Sequence, residues 1–105
     1  MNAQAETRIA DVPGEERFEI RLGDEPAGLL QYRLHGGTTS LIHTEIDPRF
    51  EGRGLGGRLI SFALDDARAR GLAVLPFCPF VRAYLERHGE YLGLVPESRR
   101  AQFGL

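Results

Sequence analysis

Apolar and polar residues alternate through "RFEIRL", where Phe18, Ile20 and Leu22 interleave with Arg17, Glu19 and Arg21. A period of two is that of a strand with one buried face. Gly23-Asp24-Glu25-Pro26 follows as a turn, Ala27 to Leu34 reads as a second strand, and Gly36-Gly37 leads into a third, Thr39 to Ile46, rich in β-branched residues. Beyond Asp47-Pro48 the period lengthens: Leu55, Leu59, Ala63 and Ala67 recur at i, i+4 and line one face of a helix ending near Arg70, with Gly71 as its stop. "LAVLPF" from Leu72 is a short continuous apolar run suited to a central strand. Cys78 then N-caps a second helix, Pro79 to about His88.

The predicted order is β-β-β-α-β-α with a possible final strand at Tyr91–Val95. It implies an α+β domain, a mainly antiparallel sheet covered by two helices. The polar stretch 1–16 is expected to be a disordered lead-in, 17–95 the domain, and 96–105 a tail.

With 105 residues there is room for one core. The net charge of −2 gives no general attraction to nucleic acid or an anionic membrane, so any anion site must be local. All 13 basic residues are arginines, which removes a phosphate-binding lysine and Schiff-base chemistry. Cys78 is a single cysteine, and His35, His43 and His88 lack metal-ligand spacing with it, so no metal site is expected. No apolar run approaches the roughly 18 residues of a membrane span, and the acid-bearing N-terminus lacks signal-peptide character. A monomer in the cytoplasm is the expectation.

The most informative stretch is "DPRFEGRGLGGRL", in which Gly52, Gly54, Gly56 and Gly57 fall between a strand and a helix. Glycine in a helix costs about 1 kcal/mol relative to alanine, so helix formation alone does not favour such a cluster. Amide hydrogens of a first helical turn have no intrahelical acceptor, and the helix dipole adds positive charge. Side-chain-free positions let a diphosphate approach closely, and Arg53 and Arg58 add guanidinium donors. A flexible turn with close helix–sheet contact is the plainer alternative. Gly52, Gly54 and Gly57 also satisfy G-x-G-x-x-G, but a dinucleotide fold needs a βαβ unit and an acid about 20 residues on, and "LAVLPFCPF" contains none.

"IDPRFEGRGLGGRLISFAL" after a strand resembles motif A of the GCN5-related N-acetyltransferases, Gln/Arg-x-x-Gly-x-Gly/Ala, here Glu51-Gly52-Arg53-Gly54-Leu55-Gly56. "HTEI" before it and "PFCPFVRAYLERHGEY" after it resemble the very small, YjdJ-like branch. The resemblance implies that acetyl-CoA is the co-substrate of an acetyl transfer to an amine of unknown identity, small molecule or protein. It further implies that the coenzyme lies where two strands splay, its pantetheine amides pairing with the backbone of about Thr44 to Ile46. The pyrophosphate would meet the amides of Glu51 to Gly57, with Arg58 beside them. Glu51 departs from the usual Gln or Arg; its carboxylate would repel a diphosphate, so it is expected to turn to solvent or pair with an arginine.

Acetyl transfer needs a neutral amine, donors for the developing oxyanion and a proton for the departing thiolate. Alternation sets His43 and Glu45 on one face of their strand and Thr44 and Ile46 on the other, so Glu45, or a water it holds, and His43 are candidate bases. A solvated carboxylate and a half-buried sheet histidine are the structural alternatives. Many relatives protonate the sulfur with a tyrosine on the last helix; here that position aligns with Leu85, and Tyr84 beside it reads as a packing aromatic. Cys78, at the N-cap bordering the cleft, is the candidate acetyl acceptor or stabiliser of the departing sulfur; the alternative is a buried small hydrophobe. Two further functions stay open: a CoA-binding module without efficient turnover, and a protein-interaction domain with a vestigial cleft.

Overall fold

The computed structural model describes residues 6–105. In it the alternating segments become an antiparallel meander of β1 (Thr7–Val12), β2 (Arg17–Leu22), β3 (Glu25–His35) and β4 (Thr38–Ile46). Helix α1 (Leu55–Ala69) then returns the chain to β5 (Ala73–Pro76), which pairs parallel with β4, giving the sheet order β1-β2-β3-β4-β5. Helix α2 (Pro79–Arg87) follows, and a short α3 (Glu97–Arg100) lies near the C-terminus. This mixed five-stranded sheet with helices is the expected α+β domain.

The two periods build one core. Phe18, Ile20, Leu30, Tyr32 and Leu41 point from the sheet onto Leu55, Leu59, Ile60, Ala63, Leu64 and Ala67 of α1, and Val81 and Leu85 of α2 close the end. Each fully buried aliphatic side chain contributes about 1.5–3 kcal/mol. Helix α1 stops where Gly71 turns left-handed at φ 68° and Leu72 N–H donates to the Ala67 carbonyl at 2.9 Å. On the opposite face Arg21, Gln31, Arg33, His43 and Glu45 are exposed and Arg17 and Glu19 half-buried.

Two irregularities interrupt the pleat. Gln31 faces His43 while Tyr32 faces Leu41, so Ile42 is an unpaired extra residue in β4. Between β2 and β3 the register slips at Ile20/Arg21. The β4–β5 pairing ends at Leu41–Pro76, whereas β4 continues to Ile46. The two strands therefore part over the last residues of β4.

Four expectations need correction. Residues 7–12 of the supposed disordered lead-in form β1; the strand is polar, but its Asp11 accepts a hydrogen bond from the buried Tyr32 hydroxyl at 2.5 Å, a tertiary anchor invisible to periodicity. Residues 1–5 lie outside the described residues. The possible final strand is a 3₁₀ helix, Gly89–Leu94, because Tyr91 turns back to give its hydroxyl to Asp65 at 2.8 Å. The tail is folded: Arg100 donates to the carbonyls of Val95 and Leu92, and Phe103 is buried edge-on against Phe77 with ring centroids 5.1 Å apart. Finally, β5 is an edge strand, its apolar run explained by α1 on one side and this folded tail beyond its end. Among the described residues no helix is long and apolar enough to cross a membrane.

The hydrogen bond to Asp65, with burial second, pushes the Tyr91 phenol up to about 12, and burial and the Asp11 bond raise Tyr32 as well. The unfolded phenol titrates at about 10, so the folded state binds more protons above that pH. Stability is therefore complete below about pH 10 and declines as pH climbs through the Tyr91 value of about 12. The chain contains no lysine, whose titration would otherwise overlap that window. The urea midpoint should fall between pH 9 and pH 11.5, and Tyr91→Phe should flatten that fall.

Candidate functional site

The loop from β4 to α1 begins with Asp47 as cap of a 3₁₀ turn, Pro48–Phe50. Its carboxylate accepts from the Arg49 guanidinium at 3.0 Å and the Arg49 amide at 2.9 Å, which holds it below the usual carboxylate range. Arg49 also reaches Glu25 at 3.1 Å, tying the loop to the start of β3. The chain then passes through Gly52 at φ 83° and Gly54 at φ 74°, left-handed positions that favour glycine, and Gly54 becomes the N-cap of α1.

The amide hydrogens of this loop divide sharply. Glu51 N–H points to the Pro48 carbonyl at 3.4 Å and Arg58 N–H to the Gly54 carbonyl at 3.2 Å. Between them, among the described residues, the amides from Gly52 to Gly57 donate to no protein carbonyl. The run of free donors is thus one residue shorter than Glu51 to Gly57. Gly56 and Gly57 have ordinary backbone angles, and an added Cβ would meet only Ile46 Cγ1 at 3.8 Å or Tyr84 Cε2 at 3.7 Å. Packing inside the protein does not require glycine at either place. A cavity of about 330 Å³ lies over these positions, lined by Ile46, Glu51, Gly52, Gly54, Leu55, Gly56 and Gly57 together with Phe50 and Phe80. A diphosphate with its charges against unused amides at a helix N-terminus fits this cradle.

The two aromatic walls escaped the sequence reading. Phe80 is 62% exposed despite its size, which only the structure reveals; Phe50 carries the Arg49 and Arg53 guanidinium groups over its ring at 4.9 and 5.5 Å. Arg53 is thereby placed on Phe50, and Arg58 is exposed; neither lines the cavity. The Glu51 side chain is exposed to solvent. The G-x-G-x-x-G reading of Gly52, Gly54 and Gly57 fails its context, since an antiparallel meander precedes the turn.

The candidate catalytic groups fall on two sides of β4. Thr44 is buried under the helices, where its Oγ1 lies 3.3 Å from Cys78 Sγ. Cys78 is the N-cap of α2, but its side chain makes no capping bond; its amide donates to the Leu41 carbonyl at 3.0 Å, at the point where β4 and β5 part. The thiol is only 3% exposed. His43 and Glu45 stand on the open face, His43 Nε2 2.8 Å from Glu45 Oε2. Cys78 is therefore not brought together with this pair; the strand lies between them. Tyr84 stacks on His88 at 4.0 Å between ring centroids, a packing arrangement.

A family model described as GCN5-related N-acetyl-transferase matches residues 17–94. Among solved structures, the solution structure of a GCN5-like protein from Staphylococcus aureus is similar over 90% of this chain and 91% of its own, with 20% identity and a TM-score of 0.65. Ard1 from Thermoplasma volcanium is similar over 58% of this chain and 43% of its own, with 19% identity and a TM-score of 0.52. This chain spans less than half the length of that protein, and at such identities the likeness is one of fold. No curated protein matches the chain.

Proposed function

The chain belongs to the GCN5-related N-acetyltransferase family, and from that premise we propose that it binds acetyl-CoA over the turn from Gly52 to Gly57 and transfers the acetyl group to an amine. The observation that carries this reading is the unbroken run of unclaimed amides from Gly52 to Gly57 beneath a cavity of about 330 Å³. The coenzyme supplies the activated acetyl thioester. The protein's part is to grip the diphosphate with those amides, flank the ligand with Phe50 and Phe80, and offer the unpaired edge of β4, Thr44 to Ile46, to the pantetheine amides. Glu51 contributes its backbone neighbourhood while its carboxylate stays in solvent. The small size and the "PFCPF" stretch favour the YjdJ-like branch within the family.

Cys78 with Thr44 borders the parting of β4 and β5 and is placed here as the group that accepts the acetyl or hydrogen-bonds the departing sulfur. Glu45, oriented by His43, is the base that holds the amine's proton, directly or through water. A second reading, coenzyme binding without efficient turnover, has one observation in its favour: the thiol is 3% exposed and the proposed base stands across the strand from it.

A ligand that binds only the folded state stabilises it by RT ln(1 + [L]/Kd), about 2.7 kcal/mol at a hundredfold excess over Kd. For a domain of this size that is a rise of about 10 °C or more in melting temperature. CoA and acetyl-CoA are expected to produce such a rise and NAD none. Gly54→Ala, which forces a side chain into a left-handed N-cap at a cost of about 1–2 kcal/mol, should shrink the coenzyme-dependent rise. Absence of any rise with either coenzyme sinks the reading.

A further inference from the structure

A larger cavity of about 530 Å³ lies on the open face of the sheet, reaching from Arg17, Glu19 and Arg21 across Leu29 to Glu45 and Ile46. Ile46 lines both this cavity and the one over the glycine turn. Its charges are unevenly satisfied. Glu19 is held by Arg17 at 2.7 Å and Asp47 by Arg49 at 3.0 Å. Arg21 donates to the Asp24 carbonyl at 2.5 Å, and among the described residues it has no carboxylate within ion-pair distance. Directly opposite Arg21 on the neighbouring strand stands Arg8, likewise without a carboxylate, and the two line an adjoining hollow of about 270 Å³ that shares Glu19 and Arg21 with the first. Like charges placed opposite each other on a sheet repel, and although Glu19 and Asp24 also line this hollow, an anion bound on the two arginines would relieve that repulsion. At the other end of the cavity Glu45 presents a carboxylate that, among the described residues, hydrogen-bonds to His43 alone.

Resting on the acetyl-transfer reading above, we propose that this open-face cavity is the acceptor subsite and that the acceptor is an amine carrying its own carboxylate. The ammonium end sits at Glu45, beside the parting of the strands, and the carboxylate end on the Arg21–Arg8 pair, with the carbon skeleton over Leu29. Two guanidinium forks match a planar carboxylate, and hydrogen bonds to charged groups make the preference strong enough to measure. Arg21 and Glu45 stand two strands and two residues apart, roughly 12 Å between Cα atoms by strand spacing and rise. Both side chains line the cavity, Arg21 resting on the Asp24 carbonyl and Glu45 on His43, so the acceptor needs a carbon chain between its two charged ends.

The test compares ω-aminocarboxylates from glycine to 6-aminohexanoate with n-alkylamines of matched length, in wild type, Arg21→Gln, Arg8→Gln and the control Arg87→Gln, an exposed arginine on α2. The best aminocarboxylate should exceed its matched alkylamine by about tenfold or more in kcat/KM. That ratio should collapse toward one in Arg21→Gln and Arg8→Gln through KM, with kcat and CoA affinity unchanged, and persist in Arg87→Gln. A ratio at or below one at every length in wild type, or one indifferent to Arg21→Gln, overturns the proposal while leaving coenzyme binding untouched. Amide shifts of Leu29 and Glu45 on titration with 4-aminobutyrate, followed by NMR, test the subsite even if turnover is absent; no shift at those amides also overturns it. Failure of CoA itself to bind in calorimetry is a separate outcome and strikes the acetyl-transfer reading.

Discussion

Cys78→Ala is expected to slow acetyl transfer about a hundredfold or more at saturating acetyl-CoA, with CoA affinity nearly unchanged. The thiol is buried beside the parting of β4 and β5 with Thr44 Oγ1 at 3.3 Å, where a sulfur lone pair or an S–H is already directed by a hydrogen bond. Cys78→Ser separates the two roles. A serine hydroxyl keeps a hydrogen bond to Thr44 and can still assist a departing sulfur, so most activity returns if assistance is the role. As a nucleophile it is far weaker, so Ser and Ala fall together if the acetyl group rests on Cys78. Intact-mass measurement after mixing with acetyl-CoA checks the same point, and since the chain has no lysine, an adduct on a described side chain would have few places other than Cys78 to reside. Undiminished rates in both variants remove the cysteine from the chemistry.

The largest effect on stability is expected from Gly28→Ala. A Cβ there would lie 2.6 Å from the Glu45 carbonyl oxygen, 2.6 Å from Ile46 Cδ1 and 3.2 Å from Ile20 Cγ2. Side chains can turn aside, but the Glu45 oxygen belongs to the backbone of β4 and moves only with the strand. Overpacking of this kind costs about 1–3 kcal/mol, and in a domain of this size each kcal/mol lowers the melting temperature by about 4–8 °C. Because Ile46 lines both cavities, coenzyme affinity should fall with stability. Gly93→Ala, where nothing lies within 4 Å of the added carbon, is the contrast and should shift stability by no more than about 0.5 kcal/mol. Equal urea midpoints for the two variants would refute the steric argument.

The parts of the fold that rest on one residue facing one layer were legible in the sequence. Leu55, Leu59, Ala63 and Ala67 at helical spacing and Phe18, Ile20 and Leu22 at strand spacing all became core. The glycine turn was legible because its composition is costly without a ligand or a special backbone, and two of its glycines do adopt left-handed angles. What periodicity could not carry were contacts between residues far apart in the chain. Strand β1 is held by Asp11 meeting Tyr32, the 3₁₀ turn near the C-terminus by Tyr91 meeting Asp65, and the last residues by Phe103 meeting Phe77. The separation of Cys78 from His43 and Glu45 was of the same kind. Alternation assigned the faces of β4 correctly, yet which face Cys78 would share depended on how β5 and α2 sit, and that is set by the packing of Val74, Val81 and Leu85.

Ile42 acts as a change of phase in β4. Before it, Thr39 and Leu41 look into the core; after it, Thr44 and Ile46 do. Had the zigzag run on unbroken, His43 and Glu45 would follow Leu41 beneath the helices, two ionisable groups in an apolar layer, and Thr44 would look outward, away from the thiol. A single inserted residue thus divides the strand's labour between its two sides: it lets the half that lies beyond β5's reach send its ionisable side chains to the open side of the sheet while its hydroxyl stays on the other, beside the thiol.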